Sequence, residues 1–286
     1  MNNTISVKTY AKINLTLDVT EKRPDGYHNI DSIFEEISLY DTVSVSTNNS
    51  GIISVSCNIP EIPCNENNIV FNAANTFFEK TGIDNPGINI HIEKNIPSQA
   101  GMGGGSTNAA GVFRILNNMF NTGLSDKDLM KMSLPVGADT PFFIKGGIAH
   151  ITGIGEVNKC LKPLSKHYVV CAKGETGVST PQAYREIDTL ADIPHQNTEV
   201  ILNAIENDDI ITLMNNSLNT FELTSLPDDI KKIKEIMLRH NTVRTMMTGS
   251  GAAVFGIFTE KKSAEDACLE LKDHFSFAGV YTNIID

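Results

Sequence analysis

Apolar and polar residues alternate through the first third of the chain, the period of a half-buried strand. Ile5 and Val7, then Ile13, Leu15, Leu17 and Val19, predict one long strand, and the pairs Val43/Val45 and Ile53/Val55 predict others. Arg23-Pro-Asp-Gly26 interrupts the pattern with turn chemistry, Asp-Gly being a typical signal. From about Asn68 to Lys80 the spacing becomes helical, with Ile69, Val70, Ala73, Phe77 and Phe78 on one face. Ile88, Ile90 and Ile92 alternate again and lead into the run Pro97 to Thr107. Beyond it, Ala109, Val112, Phe113, Leu116, Met119 and Phe120 predict a helix. The next helix is predicted from about Ser125, an N-cap residue with Asp128 in the first turn.

Lys145-Gly-Gly147 turns the chain toward a strand over 148–151. The stretch from Val157 to Lys166 has mixed polarity and contains Pro163, and we place the domain boundary there, between 1–158 and 159–286. The second half is expected to hold a strand at Tyr168–Ala172 and helices between about Pro181 and His240. Strands at Val243–Met247 and Ala252–Phe258, a helix at about Lys261–Asp273 and a strand at about Val280–Ile284 complete it. This order predicts the α+β class, sheets layered with helices.

Composition narrows the function. A hydrophobic fraction of 41% is enough for a core, and the net charge of −11 offers no basic surplus for nucleic acid. The number of cysteines is odd, at five, and no Cys-x-x-Cys occurs, so reduced thiols are expected rather than a disulfide framework. No stretch reaches the ~18 apolar residues of a membrane span. The N-terminal Met-Asn-Asn-Thr-Ile-Ser-Val-Lys has no apolar signal region. A cytoplasmic protein without a membrane, nucleic-acid or obligate protein partner is expected.

The densest chemistry lies in Pro97-Ser98-Gln99-Ala100-Gly101-Met102-Gly103-Gly104-Gly105-Ser106-Thr107. Glycines permit positive φ and leave N–H groups uncovered, and the helix that follows presents its N-terminus to an anion. A phosphate cradle and a flexible helix entry both fit. A Walker A loop is excluded because the chain has no Gly-Lys pair. A dinucleotide fingerprint is excluded because its sixth position, counted from Gly101, is Ser106.

Four further clusters each carry two readings. Lys12 and Asn14 share one face of a strand, either solvated or part of a polar site. Asp25-Gly26-Tyr27-His28 is a hairpin turn, or an aromatic platform with a hydrogen-bonding edge. Gly137-Ala-Asp139-Thr-Pro141 is a helix start, or it places Asp139 as a catalytic carboxylate. Thr248-Gly249-Ser250-Gly251 is a turn between strands, or a second backbone clamp on phosphate.

Together, and in this order, the clusters resemble the GHMP kinases. The middle motif of that family, Pro-x-x-x-Gly-Leu/Met-Gly-Gly/Ser-Ser/Gly-Ser, is met by Pro97 to Ser106. The Ala11-Lys12-Ile-Asn14-Leu, Asp25-Gly-Tyr27-His28 and Thr248-Gly-Ser-Gly251 pieces are most similar to its branch that phosphorylates the 2-hydroxyl of a diphosphocytidyl-linked methylerythritol with ATP. The resemblance spans most of the chain. It implies a two-domain GHMP fold, each domain a mixed or antiparallel sheet layered with helices, and a small-molecule substrate.

It also implies roles. Asp139 would take the hydroxyl proton, and Lys12 would bond to that hydroxyl and stabilise developing charge. The loop from Pro97 to Thr107 would hold ATP, with Mg2+ bridging phosphate oxygens and with Asn67 and Lys94 near the base and ribose. Tyr27, His28, Thr180 and Tyr184 would bind the cytosine end. Asn14 would lie close to the transferred group, and Gly249, Ser250 and Gly251 would contact substrate. Thr107 replaces the usual second serine, Thr140 stands where valine is common, and Tyr184 replaces phenylalanine. No substitution removes a catalytic group. Another GHMP kinase, an inactive nucleotide-binding regulator and a Rossmann oxidoreductase are the competing readings. The Tyr27-His28 turn, the joint presence of Lys12 and Asp139, and the failed fingerprint argue against them in turn.

Overall fold

The structure, a computed structural model, describes residues 4–285, so the first residues of the polar N-terminal stretch lie outside it. Its strands form one mixed and one antiparallel sheet, layered with helices, which is the α+β class expected. The chain divides into two compact units, neither continuous in sequence. The first holds residues through Ala11, Leu39–Ser98 and Gly103–Gly146; the second holds Lys12–Ser38, Gln99–Met102 and Gly147 onward. Strands β1 (Ile5–Lys22) and β2 (His28–Thr47) each contribute to both.

In the first unit, β3 (Ile53–Cys57) runs parallel to β4 (Ile88–Glu93), which pairs antiparallel with the end of β2 in the register Thr42↔Glu93 to Thr47↔Ile88. The alternation seen in sequence is the burial pattern of β4: Ile88, Ile90 and Ile92 point inward. Helix α1 (Ile69–Thr81) starts because the Asn68 side chain accepts from the Val70 N–H. It stops at Gly82, in the left-handed region, whose N–H reaches the Phe78 carbonyl. It packs on α2 (Gly104–Met119), where Gly111 lets the helix approach β1 closely. A Cβ there would lie 2.5 Å from Thr9 Cγ2. Helix α3 (Asp126–Ser133) opens with the expected cap, a full capping box between Ser125 and Asp128. Helix α4 (Thr140–Lys145) ends where Gly146 and Gly147 turn the chain at positive φ.

In the second unit, Ile30–Glu35 of β2 pairs antiparallel with β5 (Ile148–Gly153), and β5 with β6 (Val157–Cys160). The other sheet holds β7 (Tyr168–Lys173), β8 (Arg244–Met247), β9 (Ala253–Phe258) and β10 (Phe277–Thr282), in the order β10-β7-β9-β8. Between β7 and β8 the chain forms α5 (Thr180–Ile187), α6 (Thr198–Glu206), α7 (Ile210–Asn216), a short turn of 3-10 helix at Thr220–Leu223, and α8 (Asp228–Arg239). Helix α9 (Lys261–Lys272) lies between β9 and β10. Helices α8 and α9 cover the sheet, burying Ile233, Met237, Ala267 and Leu271 with Val170, Val254 and Phe258. Apart from Ala267, each such side chain contributes roughly 1.5–3 kcal/mol.

Strand β6 falls in the mixed-polarity stretch where no element was predicted, and β10 begins at Phe277 rather than near Val280. No helix among the described residues is long and apolar enough to cross a membrane.

Candidate active site

In the first unit, β4 rises into the glycine loop over a buried ionic knot. Asp41, fully buried, accepts from the Asn95 and Ile96 N–H groups at 2.7 Å, from Lys94 Nζ at 2.6 Å and from Asn108 Nδ2 at 3.0 Å. Lys94 also donates to the Ile96 carbonyl, so its ammonium holds the strand-to-loop transition. Gly104 closes over it, since a Cβ there would lie 2.8 Å from Lys94 Nζ. Gly103 sits in the left-handed region at φ 70° as the N-cap of α2, with no side chain across the helix entrance.

Two buried hydroxyls in this unit, Thr107 Oγ1 and Thr140 Oγ1, have no hydrogen-bond partner. A buried donor left unsatisfied costs about 1–3 kcal/mol, so both fit positions that a ligand or water completes. Thr140 was noted in the sequence only as a departure from valine. Its signal was its place beside Asp139. Gly137 leaves room beside the hydroxyls of Thr140 and Ser106: a Cβ there would lie 2.9 Å from Thr140 Oγ1 and 3.5 Å from Ser106 Oγ. Asp139 does stand at the start of α4, with Pro141 in the first turn, but its side chain makes no cap hydrogen bond. Asn67 is exposed at the entrance to α1, where the neighbouring Asn68 does the capping.

In the second unit, Lys12 and Asn14 lie on a buried strand face, not the solvated one that their polarity suggested; they are 3% and 1% exposed. Both faces of β1 are covered from Ala11 to Val19, so alternation there does not mark a wet side. Lys12 Nζ donates to Asn14 Oδ1 at 2.6 Å and lies 4.2 Å from the centre of the Phe34 ring. Such partners offset part of the cost of taking an ammonium out of water. Asn14 is a hub. Its Oδ1 also accepts from Thr248 Oγ1 at 3.1 Å and the Gly249 N–H at 2.8 Å, and its Nδ2 donates to Ser32 Oγ at 3.0 Å.

Through this hub the Thr248–Gly251 turn backs the middle of the glycine loop. The Thr248 hydroxyl, with one proton for two acceptors, sits between Asn14 Oδ1 and the Gly101 carbonyl at 3.1 and 3.2 Å, and the Ala253 N–H donates to the Ala100 carbonyl. Gly101 and Gly249 touch backbone to backbone, both at positive φ; a Cβ on Gly101 would lie 2.0 Å from the Thr248 carbonyl oxygen. The Met102 carbonyl takes the Lys12 N–H at 3.0 Å. Pro97 and Ser98 open the loop, and Gly105 packs toward α1, where a Cβ would lie 3.3 Å from Ile69 Cγ2.

Two cavities of more than 400 Å3 adjoin the first turn of α5. One, of about 410 Å3, is lined by Tyr27, His28, Pro181, Tyr184 and Asp188. Tyr27 is 62% exposed. His28 and Tyr184 are stacked with centroids 4.7 Å apart, and Tyr184 rests edge-on against Phe221. The other cavity, of about 520 Å3, is lined by Gln99, Gly101, Ser179, Thr180, Ser250 and Gly251. Thr180 thus belongs with the glycine loop and not with the aromatic pair, hydrogen-bonded to Ser250 at 2.6 Å. Asp188 was not singled out in the sequence. Its signal was the spacing, four residues after Tyr184 on one helix face. Its carboxyl is held below the usual range by hydrogen bonds from Lys22 and then His28.

Two families match the chain: the GHMP kinases N terminal domain over residues 68–147 and the GHMP kinases C terminal domain over 201–276. A 4-diphosphocytidyl-2-C-methyl-D-erythritol kinase of Clostridium perfringens is 39% identical, over 97% of this chain and 96% of its own. One of Clostridium acetobutylicum is 38% identical, over 95% and 97%. A solved 4-(cytidine 5'-diphospho)-2C-methyl-D-erythritol kinase superposes with a TM-score of 0.79 at 28% identity, covering 98% of this chain and 99% of that one. A homoserine kinase from Cytophaga hutchinsonii shares the fold at a TM-score of 0.77 and 15% identity, covering 99% and 95%. With both halves matched and full-length relatives near 39%, the chain belongs to the GHMP kinases, in the family of 4-diphosphocytidyl-2-C-methyl-D-erythritol kinases.

Proposed function

We propose that the chain transfers the γ-phosphoryl group of ATP to the 2-hydroxyl of 4-diphosphocytidyl-2-C-methyl-D-erythritol, a step of non-mevalonate isoprenoid synthesis. The observation that carries this reading is the stacked His28–Tyr184 pair with the exposed Tyr27 around a 410 Å3 cavity. A planar base with a hydrogen-bonding edge suits that cavity. The hydroxyl- and backbone-lined cavity beginning at Thr180 suits the polar remainder of the same substrate.

In the reaction, Asp139 accepts the proton of the substrate hydroxyl. The hydroxyl oxygen then bonds to the γ-phosphorus as the bond from that phosphorus to the β–γ bridging oxygen breaks, and ADP leaves. Lys12, fixed by Asn14, stabilises charge on the attacking oxygen. The N–H groups of the glycine loop and the hydroxyls of Ser106 and Thr107 hold the phosphates. Positioning and charge stabilisation carry most of such a transfer.

The donor set also suits magnesium. Magnesium takes hard oxygens, keeps several waters and relies on substrate phosphates. Among the described residues no cluster of three His, Cys, Asp or Glu is built for a metal, whereas Ser106 and the partnerless Thr107 supply hydroxyl oxygens at the helix entrance. Ser106 would hold the ion with the nucleotide. Bound there, it would neutralise charge on the phosphate oxygens.

The test is incubation of purified protein with Mg-ATP and the diphosphocytidyl alcohol, followed by phosphorus NMR, with homoserine and mevalonate as alternative acceptors. A new phosphate monoester on the cytidine substrate alone is expected. Folded protein that binds both ligands without forming it, or that phosphorylates homoserine or mevalonate instead, refutes the proposal.

A further inference from the structure

We infer that Asp188 decides which ring nitrogen of His28 carries the proton, and so makes the aromatic cavity accept cytosine and reject uracil. This rests on the function proposed above and concerns one end of the same substrate.

His28 Nε2 lies 2.7 Å from Asp188 Oδ1, and Lys22 Nζ hydrogen-bonds the other carboxylate oxygen, Oδ2. The His28 side chain is 7% exposed and stacked on Tyr184, so its plane is fixed. An ionised carboxylate only accepts hydrogen bonds, and a lysine ammonium only donates them. Nε2 must therefore be the donor in the His28–Asp188 bond. In a neutral imidazole one nitrogen donates and the other accepts, which leaves Nδ1 as the acceptor. Cytosine presents a 4-amino group that donates to such a nitrogen. Uracil presents a carbonyl at that position, and two lone pairs would face each other. Asp188 need not touch the base; it is a positioning residue acting through His28.

The arrangement predicts an inversion. In Asp188→Asn, Lys22 keeps the amide oxygen, because an ammonium has no use for the amide N–H. The amide nitrogen then faces His28 Nε2 and donates to it. The imidazole proton moves to Nδ1, and the edge turns from acceptor to donor, which suits the uracil carbonyl. Asp188→Glu retains an acceptor-only partner.

The experiment has two readouts. Steady-state kinetics with cytidine- and uridine-diphosphate-linked methylerythritol give the ratio of the two kcat/KM values. In Asp188→Asn this ratio is expected to fall by at least about tenfold, the size of one hydrogen bond, with the change carried by KM. Asp188→Glu should restore most of it. Nitrogen–proton correlation spectra, recorded on the neutral imidazole, should show the His28 proton on Nε2 in the wild type and on Nδ1 in Asp188→Asn. A generally loosened pocket would not move that proton. An active wild type with an unchanged ratio in Asp188→Asn, or a wild-type proton on Nδ1, overturns the role of Asp188 alone. A folded wild type inactive on the cytidine substrate overturns the proposed function and this inference with it.

Discussion

Lys12 and Asp139 show how differently two catalytic candidates can be held. Lys12 is walled into β1, its ammonium aimed by Asn14 and the Phe34 ring. Asp139 stands at a helix start that it does not cap. The first residue owes its direction to neighbours from distant parts of the chain, such as Phe34 and, through Asn14, Thr248. The second owes its place to the short turn Gly137–Pro141. Asp139→Asn keeps the shape of the side chain and removes its charge and its ability to take a proton. Turnover should fall by ~10²–10⁴-fold, the usual contribution of a positioned base. ATP affinity, measured by calorimetry, should stay within about twofold, because the loop donors are unchanged. Near-normal turnover would remove Asp139 from the role of base. The sequence already carried the residue types and their order. It did not carry the burial of Lys12, because a lysine and an amide two positions apart on a strand serve a wet face and a sealed one equally well.

At the scale of elements, local patterns were legible where one rule acted alone. The alternation of β4, the helix beginning beside Asn68 and the Ser125 cap of α3 with Asp128 in its first turn are all present as the sequence predicts. Patterns failed where tertiary contacts decided. Much of β2 hides polar groups such as Ser32, Glu35 and Glu36, so only Val43 and Val45 stood out as a strand. Strand β6 is an edge strand with little buried surface, and its mixed polarity gave no strand signal. The glycine loop was legible as an anion site but not as a packed element. In the fold its middle is pressed against the Thr248–Gly251 turn, which makes Gly101 a steric requirement. Gly101→Ala adds a left-handed penalty of about 1–2 kcal/mol and forces a Cβ to within 2.0 Å of the Thr248 carbonyl oxygen. Gly82→Ala has a similar φ, 68° against 70°, but nothing lies within 4 Å of its Cβ. Urea unfolding should therefore show Gly101→Ala losing about 2–4 kcal/mol and Gly82→Ala only the backbone share. Equal losses would mean that the contact between loop and turn yields without cost.

At the scale of the whole chain, the second unit joins segments from both ends of the sequence, and a buried ion pair marks one such junction. His167 Nε2 meets Glu35 Oε2 at 3.1 Å, with both side chains almost fully buried, and His167 Nδ1 donates to the Ser165 carbonyl at 3.0 Å. Asn283 ties the same corner, accepting from the His167 N–H and donating to the Leu164 carbonyl. No spacing rule links positions 35, 167 and 283, so this corner was invisible in the sequence. Burial alone would push the His167 pKa down, but the Glu35 charge and hydrogen bond and the Ser165 carbonyl outweigh it, and the net shift is upward. A group whose folded pKa is raised binds protons more tightly in the native state. Its stabilisation is complete below the unfolded value of about 6.5 and is lost as pH rises through the higher folded value. Wild-type stability from urea unfolding should accordingly decline from about pH 6.5 upward. In Glu35→Gln the charge that raises the His167 pKa is gone, and that decline should shrink or vanish, whatever the variant's absolute stability. A decline of the same size in both proteins, or a rise in the wild type over this window, would show that the Glu35–His167 pair does not set the alkaline limit.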